Sequence, residues 1–291
     1  MTSTAVRKAA PQRIVILSLL FAALALFVGV LGGCSSSEDS QSAPSSDTEK
    51  SAEEDSQSAA EELEGELQVY AAASLKAAFD ELTDLFAEEN PSVTVAPTVY
   101  DGSSVLAVQI DEGAPTNVFA SADIANMDKV VEMDLVYGEP EIFATNELTI
   151  AVAPGNPKDV QGAESLTDPD LTVVLCEDEV PCGAVGAQIL ESLGLEVTPM
   201  SKEQNVTAVA TKVASGEADA GLIYVTDVAV SDGAVEGVPL TNSAEFATSY
   251  PIAVVKNGGD EQVARAFIDL VLSDRGQQVL ADFGFQPAPN N

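Results

Sequence analysis

The sequence contains no histidine among its 291 residues, and this absence excludes several kinds of site. A serine hydrolase normally needs a histidine base beside its nucleophile, and a typical zinc site needs imidazole ligands. A lysine base such as Lys76 would lie two helix positions from Ser74 and would face elsewhere. We therefore expect no enzyme, while a calcium site built from carboxylates stays open.

Basic residues are also scarce in this chain. It has 12 Lys and Arg against 47 Asp and Glu, which gives a formal net charge of -35. Nucleic acids are polyanions, and the proteins that bind them carry basic patches. The charge balance therefore argues against a nucleic-acid partner.

The chain has only three cysteines, and the first of them, Cys34, ends a segment typical of export signals. Arg7, Lys8 and Arg13 precede an apolar run, and two glycines come just before the cysteine. This order predicts a secretory signal peptide over residues 1–33. The Leu-Gly-Gly-Cys sequence resembles a lipoprotein lipobox, so we expect a lipid on Cys34 to anchor the protein to the membrane outside the cytoplasm. An uncleaved transmembrane anchor is the alternative.

Residues 34–64 are rich in Ser, Ala, Gln, Glu and Asp and have almost no aromatic or β-branched residues. Such a segment cannot bury enough apolar surface to fold. We expect it to be a disordered tether, and we begin the fold at residue 66.

The two remaining cysteines, Cys176 and Cys182, lie six positions apart in the exported part of the chain. Disulfides form and persist in oxidising compartments outside the cytoplasm. We therefore expect these two cysteines to be paired. A metal site is the alternative, but no histidine is present to complete it.

Beyond the tether, apolar strands alternate with amphipathic helices. Residues 220–224 read as a buried strand, residues 75–89 as an amphipathic helix, and residues 261–283 as a C-terminal helix. This alternation predicts an α/β fold in which mainly parallel sheets are flanked by helices.

The length of the folded part favours two lobes over one. If the strands near residues 148 and 250 cross between lobes, lobe 1 comprises 66–147 plus 249–291 and lobe 2 comprises 148–248. Ligands of open α/β sheets bind beyond the carboxyl ends of the strands. The ligand cleft would then lie between the two lobes.

Small or polar residues stand where several predicted strands give way to helices. Ser74, Ser103, Cys182 and Val206 each stand at such a junction, and Tyr224 ends a strand. The first N–H groups of a helix have no partner within it, and together with the helix dipole they favour an anion. Ordinary helix capping and a core tyrosine are the alternative interpretations. The shared placement of these residues favours an anion site.

A series of short motifs also follows one order along residues 66–285. They are Ala71-Ala72-Ala73-Ser74-Leu75, Gly102-Ser103-Ser104-Val105-Leu106-Ala107, Gln109-Ile110, Gly113-Ala114-Pro115, Val118-Phe119-Ala120-Ser121-Ala122-Asp123, Val180-Pro181-Cys182-Gly183, Gly221-Leu222-Ile223-Tyr224 with Asp227, and Tyr250-Pro251-Ile252-Ala253-Val254-Val255. In these motifs the chain resembles the periplasmic molybdate-binding protein family, which serves ABC importers.

The resemblance implies a two-lobed periplasmic-binding-protein fold that holds molybdate or tungstate in its cleft and delivers it to an ABC importer permease. It implies that Ser74 and Ser103 donate through hydroxyl and backbone N–H, Cys182 and Val206 through backbone N–H, and Tyr224 through its hydroxyl. Molybdenum would be bound only as an oxyanion, with no direct protein ligand and no cofactor. We expect a monomer.

Asp101 departs from a purely neutral site, because it lies two residues before Ser103. We expect its side chain to face solvent or to cap its own loop. A carboxylate in the cleft would instead accept a hydrogen bond from a protonated oxyanion. A receptor for phosphate or sulfate is therefore the alternative function.

Overall fold

The computed structural model of the protein describes residues 62–288. The predicted signal peptide, the lipid on Cys34 and the tether up to residue 61 lie outside the described residues. Within 62–288, none of the helices combines the length and the apolar character needed to cross a membrane.

The described chain alternates between strands and helices. In chain order the strands are β1 (Gly65–Leu67), β2 (Val69–Ala72), β3 (Val93–Val95), β4 (Val99–Asp101), β5 (Val118–Ala120), β6 (Val136–Asn146), β7 (Leu148–Val152), β8 (Val173–Cys176), β9 (Ser201–Glu203), β10 (Ala220–Tyr224), β11 (Glu236–Val238), β12 (Thr248–Val255) and β13 (Gln286–Pro287). The α-helices are α1 (Lys76–Glu89), α2 (Ser103–Asp111), α3 (Ile124–Glu132), α4 (Pro181–Ser192), α5 (Val206–Ala214), α6 (Val225–Ala229), α7 (Glu261–Leu272) and α8 (Asp274–Asp282).

Two large sheets organise most of these elements, while β1 and β3 pair in parallel as a separate two-stranded sheet. A six-stranded sheet has the order β13-β6-β12-β5-β2-β4, and a five-stranded sheet has the order β11-β7-β10-β8-β9. We call the parts of the chain built on them the six-stranded half and the five-stranded half. The α/β fold class is confirmed, with helices flanking both sheets.

The prediction of mainly parallel sheets was wrong in detail, because both sheets are mixed. β2 pairs in parallel with β4 and β5, whereas β12 pairs antiparallel with both β5 and β6. In the other sheet β10 is parallel to β8 and antiparallel to β7. The chain leaves the six-stranded sheet from β6 and re-enters it on β12, and these two strands pair antiparallel.

The chain passes between the halves at two adjacent points. It leaves the six-stranded sheet at Asn146 and enters the other sheet at Leu148. It returns at Thr248, which pairs directly with Asn146. The two connections therefore lie side by side, which is the arrangement expected of a hinge.

Burial on one face explains why the main elements form where they do. Phe79, Leu82 and Phe86 recur at helical spacing along α1 and are all buried. They join a core with Phe143 and Phe267, in which the rings pack edge to face or tilted. The five-stranded half has its own core around β10, all of whose residues are buried.

Two elements differ from the sequence prediction for local reasons. The predicted C-terminal helix over 261–283 is two helices, because Ser273 adopts an extended conformation between α7 and α8. Its side chain accepts a hydrogen bond from the N–H of Gly276 and so caps α8. The strand β6 was not predicted, since it contains Gly138 and Pro140, residue types that are depleted in strands.

The folded part also begins earlier than residue 66. Leu63 packs against the core of the six-stranded half, and Glu62 accepts a hydrogen bond from the Ser92 hydroxyl. Glu62 and Leu63, which the sequence assigned to the tether, therefore contact the folded protein.

Candidate functional site

A small cavity of about 20 Å³ lies between the two halves. Its wall includes all five residues that the sequence predicted for an anion site: Ser74, Ser103, Cys182, Val206 and Tyr224. The first two come from the six-stranded half and the other three from the five-stranded half. The structure thus brings together residues that are up to 150 positions apart in the chain.

A larger cavity, of about 560 Å³, lies within the five-stranded half beside the disulfide. Its floor is formed by apolar side chains such as Leu175, Leu190 and Leu222, and it does not include the hydroxyls of Ser74, Ser103 or Tyr224. The small cavity is therefore the candidate site, because it collects polar groups from both halves.

Ser103 is placed with its hydroxyl proton available. It opens α2 directly after Gly102 and is fully buried. Its oxygen accepts a hydrogen bond of 3.0 Å from the N–H of Ala122. A serine hydroxyl has one proton and two acceptor sites. With an acceptor site used by Ala122, the proton remains free for a guest in the cavity.

Ser74 belongs to a buried chain of hydrogen bonds that sets the direction of its proton. The Asn146 amide donates to the Tyr250 hydroxyl at 3.3 Å and to the Thr226 hydroxyl at 2.8 Å. The Tyr250 hydroxyl lies 2.9 Å from that of Ser74. Since the amide N–H can only donate, Tyr250 accepts from it and has its own proton left for Ser74. The Ser74 proton is then free to donate into the cavity.

Tyr224 presents a polar group that the protein leaves without a partner. It ends β10 with 1% of its surface exposed, and its ring packs edge to face against that of Tyr250. Among the described residues, its hydroxyl is the one buried side-chain polar atom without a hydrogen bond. The Tyr250 hydroxyl is near enough to act on it electrostatically, but outside hydrogen-bond geometry. An unpaired buried donor costs about 1–3 kcal/mol, so a ligand that accepts from it is favoured.

Burial keeps both tyrosines protonated. It raises the pKa of Tyr224 well above the usual value, with nearby Tyr250, Asp123 and Asp227 adding to the effect. Burial also raises the pKa of Tyr250. Both phenols therefore stay hydrogen-bond donors across the physiological range.

Two helix starts complete the wall on the five-stranded side. Cys182 lies in the first turn of α4, and Val206 is the first residue of α5. The initial N–H groups of a helix have no partners within the helix, and the dipole makes this end positive. Asn205 caps α5 by accepting from the N–H of Ala208 at 3.0 Å. Both helix starts are thus ordered and stand at the cavity.

The predicted disulfide between Cys176 and Cys182 is confirmed, with their Cα atoms 5.8 Å apart. It joins the end of β8 to the first turn of α4. A Cβ on Gly183 would overlap the carbonyl oxygen of Glu177, so the loop between the cysteines folds tightly onto the helix. The cross-link therefore fixes the part of α4 that borders the cavity.

Asp101 lines the cavity and is half-buried. Its Oδ1 atom accepts from the N–H of Gly102 at 2.8 Å and from the Asn205 side-chain amide at 2.8 Å. The expectation that its side chain faces solvent or caps its own loop is therefore confirmed through the bond to Gly102. The bond to Asn205 spans the two halves.

The remaining charges near the cavity are negative. Among the residues lining it there is no lysine or arginine, and Asp101 is the one carboxylate. Asp227 lies behind Tyr224, whose N–H donates to it at 3.0 Å, and burial raises the pKa of this partly exposed carboxyl to about 7. Any anion in the cavity must therefore be held by neutral donors.

Sequence reasoning gave no role in the site to three polar residues: Asn205, which lines the cavity, and Tyr250 and Asn146, which lie behind its wall. Asn205 stood at a helix start in the sequence, but its bond to Asp101, 104 residues away, left no local signal. Tyr250 and Asn146 meet through the pairing of β12 with β6, and β6 itself was not predicted.

Comparisons with known proteins identify relatives of this chain. The pattern of the family described as bacterial extracellular solute-binding protein matches residues 67–286. The molybdate-binding protein ModA of Mycobacterium tuberculosis is 42% identical over 217 residues, which cover 75% of this chain and 83% of that protein. ModA of Haemophilus influenzae is 30% identical over 227 residues, covering 75% and 88%.

A solved structure shows the same fold at lower identity. The periplasmic molybdate-binding protein of Azotobacter vinelandii superimposes with a TM-score of 0.65 at 20% identity, covering 77% of this chain and all of that one. The two-lobed periplasmic-binding-protein fold predicted from the sequence is thereby confirmed. The chain belongs to the bacterial extracellular solute-binding protein family, as a relative of its molybdate-binding members.

Proposed function

We propose that this protein captures molybdate outside the cytoplasm and delivers it to the permease of an ABC importer. The observation that carries the proposal is the buried Tyr224 hydroxyl, which has no partner and stands at a cavity lined by other neutral donors. The identity of 42% to a protein named for molybdate binding supports the choice of anion.

The donors around the cavity suit a tetrahedral dianion. We propose that Ser74 and Ser103 donate through hydroxyl and backbone N–H, Cys182 and Val206 through backbone N–H, and Tyr224 through its hydroxyl. A hydrogen bond to a charged group contributes about 1.5–3 kcal/mol. Several such bonds, together with the helix dipoles, can replace the hydration of the ion without a countercharge.

Neutral donors fixed on two rigid halves also select by size. A mobile lysine attracts every anion alike, whereas fixed donors must all reach the oxygens of one ion at hydrogen-bond distance. Molybdate and tungstate have nearly the same size and charge and are both larger than sulfate. We therefore propose that the site accepts molybdate and tungstate and discriminates against sulfate.

Calorimetric titration of the purified protein tests this function. We expect molybdate and tungstate to bind with a Kd of about 1 µM or below, and sulfate and phosphate to bind at least about 100-fold more weakly. Tighter binding of phosphate or sulfate would favour the alternative receptor. No heat with any of the four anions would contradict oxyanion capture.

Asp101 is the observation that bears on the phosphate alternative. Its Oδ1 atom already accepts two hydrogen bonds from the protein. Its Oδ2 atom accepts neither of them, so the choice against phosphate rests on the 42% identity to a protein named for molybdate binding. We therefore keep molybdate as the proposed ligand.

We further propose that the mature protein is a monomeric lipoprotein held to the membrane through Cys34, and that it has no enzymatic activity or cofactor. The Leu-Gly-Gly-Cys sequence after a basic and apolar segment supports the lipid. Mass spectrometry of the protein extracted from its native membrane tests this directly. The expected result is a diacylated cysteine at the new N-terminus, and a chain that still contains residues 1–33 would contradict it.

A further inference from the structure

Two short segments from opposite halves meet at the edge of the cavity. Asp101 and Gly102 follow β4 in the six-stranded half, and Gln204 and Asn205 precede α5 in the five-stranded half. Their contacts include one side-chain hydrogen bond and one close backbone approach.

The hydrogen bond is the one from the Asn205 amide to Asp101, at 2.8 Å. Both ends of the Asn205 side chain are in use, since its oxygen accepts from the N–H of Ala208. Rotating the amide by 180° would oppose its NH2 group to that N–H and its oxygen to the carboxylate. The side chain therefore has one workable orientation, fixed by the helix cap on one side and by Asp101 on the other.

The backbone approach explains the glycine at position 102. Gly102 has φ of -60° and ψ of 137°, a conformation open to any residue, so its backbone does not require glycine. A Cβ at this position would overlap the carbonyl oxygen of Gln204. Because Gln204 belongs to the other half, this overlap exists only while the halves are together.

We propose that Asp101, Gly102 and Asn205 form a closure latch that holds the two halves together over the bound anion without touching it. The latch rests on the proposed function for the identity of the anion, but the joining of the two halves is a separate property. It gives Asp101 a role that a purely neutral anion site does not require. The direct alternative is that Asp101 contacts the anion itself.

Exchanging the side chains of Asp101 and Asn205 distinguishes a latch from direct contact of Asp101 with the anion. Asn205→Asp keeps the cap of α5, because aspartate caps helices as well as asparagine, but it opposes two carboxylates across the halves. In the double variant D101N/N205D the amide donates in the reverse direction and the net charge equals that of the wild type. Asn242→Asp is the matched control, since it makes the same change at an exposed position of the five-stranded half.

The expected affinities for molybdate follow from these contacts. Asn205→Asp should weaken binding by about tenfold or more, since like charges placed against each other across an interface cost several kcal/mol. The double variant should return to within about threefold of the wild type, and Asn242→Asp should match the wild type. Gly102→Ala should also weaken binding, whereas Gly237→Ala, which has room for a Cβ, should not.

Hydrogen exchange in the ligand-free protein supplies a readout that does not depend on the anion. Asn205→Asp should speed amide exchange in residues 99–107, which belong to the opposite half, and the double variant should slow it again. A role of Asn205 confined to capping α5 would leave that segment unchanged.

The outcomes separate the latch from the proposed function. If the wild type binds no molybdate but exchange at 99–107 still follows the two variants, the function is wrong and the latch stands. If affinity and exchange are the same in all variants, the latch is wrong. A double variant that stays as weak as Asn205→Asp also overturns it, and a tighter Asp101→Asn single variant would then point to direct repulsion of the anion.

Discussion

The two halves of the protein differ in whether the hydroxyl groups that they place at the cavity have hydrogen-bond partners within the protein. In the six-stranded half, the hydroxyls of Ser74 and Ser103 already have partners within that half, namely Tyr250 and the N–H of Ala122. In the five-stranded half, the Tyr224 hydroxyl has none. The cavity hydroxyls of the six-stranded half thus have protein partners. The five-stranded half carries a hydroxyl that closure without an anion would leave unpaired.

This difference couples closure to binding. In an open cleft, water can hydrate the Tyr224 hydroxyl, whereas an empty closed cleft strands it at a cost of about 1–3 kcal/mol. An anion removes that cost by accepting a hydrogen bond from the Tyr224 hydroxyl. The anion therefore shifts the equilibrium towards the closed form, so that a permease would meet that form mainly with the ligand inside.

The largest effect is expected at Ser103, in the six-stranded half. Ser103→Ala removes a donor to the anion and also leaves the N–H of Ala122 unpaired. We expect molybdate affinity to fall by about 100-fold and the free energy of unfolding of the ligand-free protein to fall by about 1 kcal/mol or more. Calorimetry and urea unfolding measure the two.

Ser104→Ala is the matched control for this variant, because Ser104 follows in the same helix and does not line the cavity. Equal losses in both variants would indicate damage to α2 and would remove Ser103 from the site.

Tyr224→Phe should show most clearly how the five-stranded half differs from the six-stranded half. It removes a donor that has no partner in the protein, so affinity should fall by about tenfold or more. Unlike Ser103→Ala, it should leave the free energy of unfolding the same or raise it by up to about 1 kcal/mol, since no protein hydrogen bond is lost. A marked loss of stability without loss of affinity would refute the assignment.

Tyr250→Phe tests the hydrogen bonds of the six-stranded half that lie behind the cavity wall. Removing this hydroxyl frees the Ser74 proton from its fixed direction and breaks a bond with Asn146. We expect affinity to fall by about fivefold, a smaller loss than at either direct donor. Tyr137→Phe, at a tyrosine that is 40% exposed, is the control and should bind as the wild type does. An unchanged Tyr250→Phe would show that the chain of hydrogen bonds does not order Ser74.

The smallest effect is expected from pH. The pKa of Asp227 is about 7 in the folded protein against a usual 3.8, because burial disfavours its charge. Between these values the folded state binds more protons than the unfolded state, so this carboxyl makes stability fall as pH rises from about 4 to about 7. Its charge behind Tyr224 should also weaken binding by about threefold between pH 6 and pH 8.

Asp227→Asn should flatten both pH dependences while keeping an acceptor for the N–H of Tyr224. Urea unfolding and calorimetry at pH 5, 6 and 8 measure them. A variant that keeps the wild-type slopes would show that another group titrates.

Much of this architecture could be predicted from the sequence because it is local. Strand-to-helix junctions mark where Ser74, Ser103, Cys182 and Val206 stand, and the buried run that ends at Tyr224 is the strand β10 with the predicted bounds. The rule that ligands bind beyond strand ends then places these residues at one cleft. Their roles as donors remain predictions.

What the sequence could not predict depends on contacts between distant segments. The hydrogen bond between Asp101 and Asn205 joins residues 104 positions apart, and nothing in either neighbourhood indicates the other. The pairing of Tyr250 with the end of β6 needs the register of a strand whose Gly138 and Pro140 hide it. The break at Ser273 was missed because apolar residues continue at helical spacing on both sides.

The central claim is that an oxyanion is held between the halves by neutral donors alone. A crystal structure of the protein grown with molybdate, with the metal located by its anomalous scattering, tests it most directly. The account predicts one molybdenum peak in the cavity, with its oxygens within hydrogen-bond distance of Ser74, Ser103, Cys182, Val206 and Tyr224. A peak beside a lysine or arginine, or outside the cavity, would contradict it.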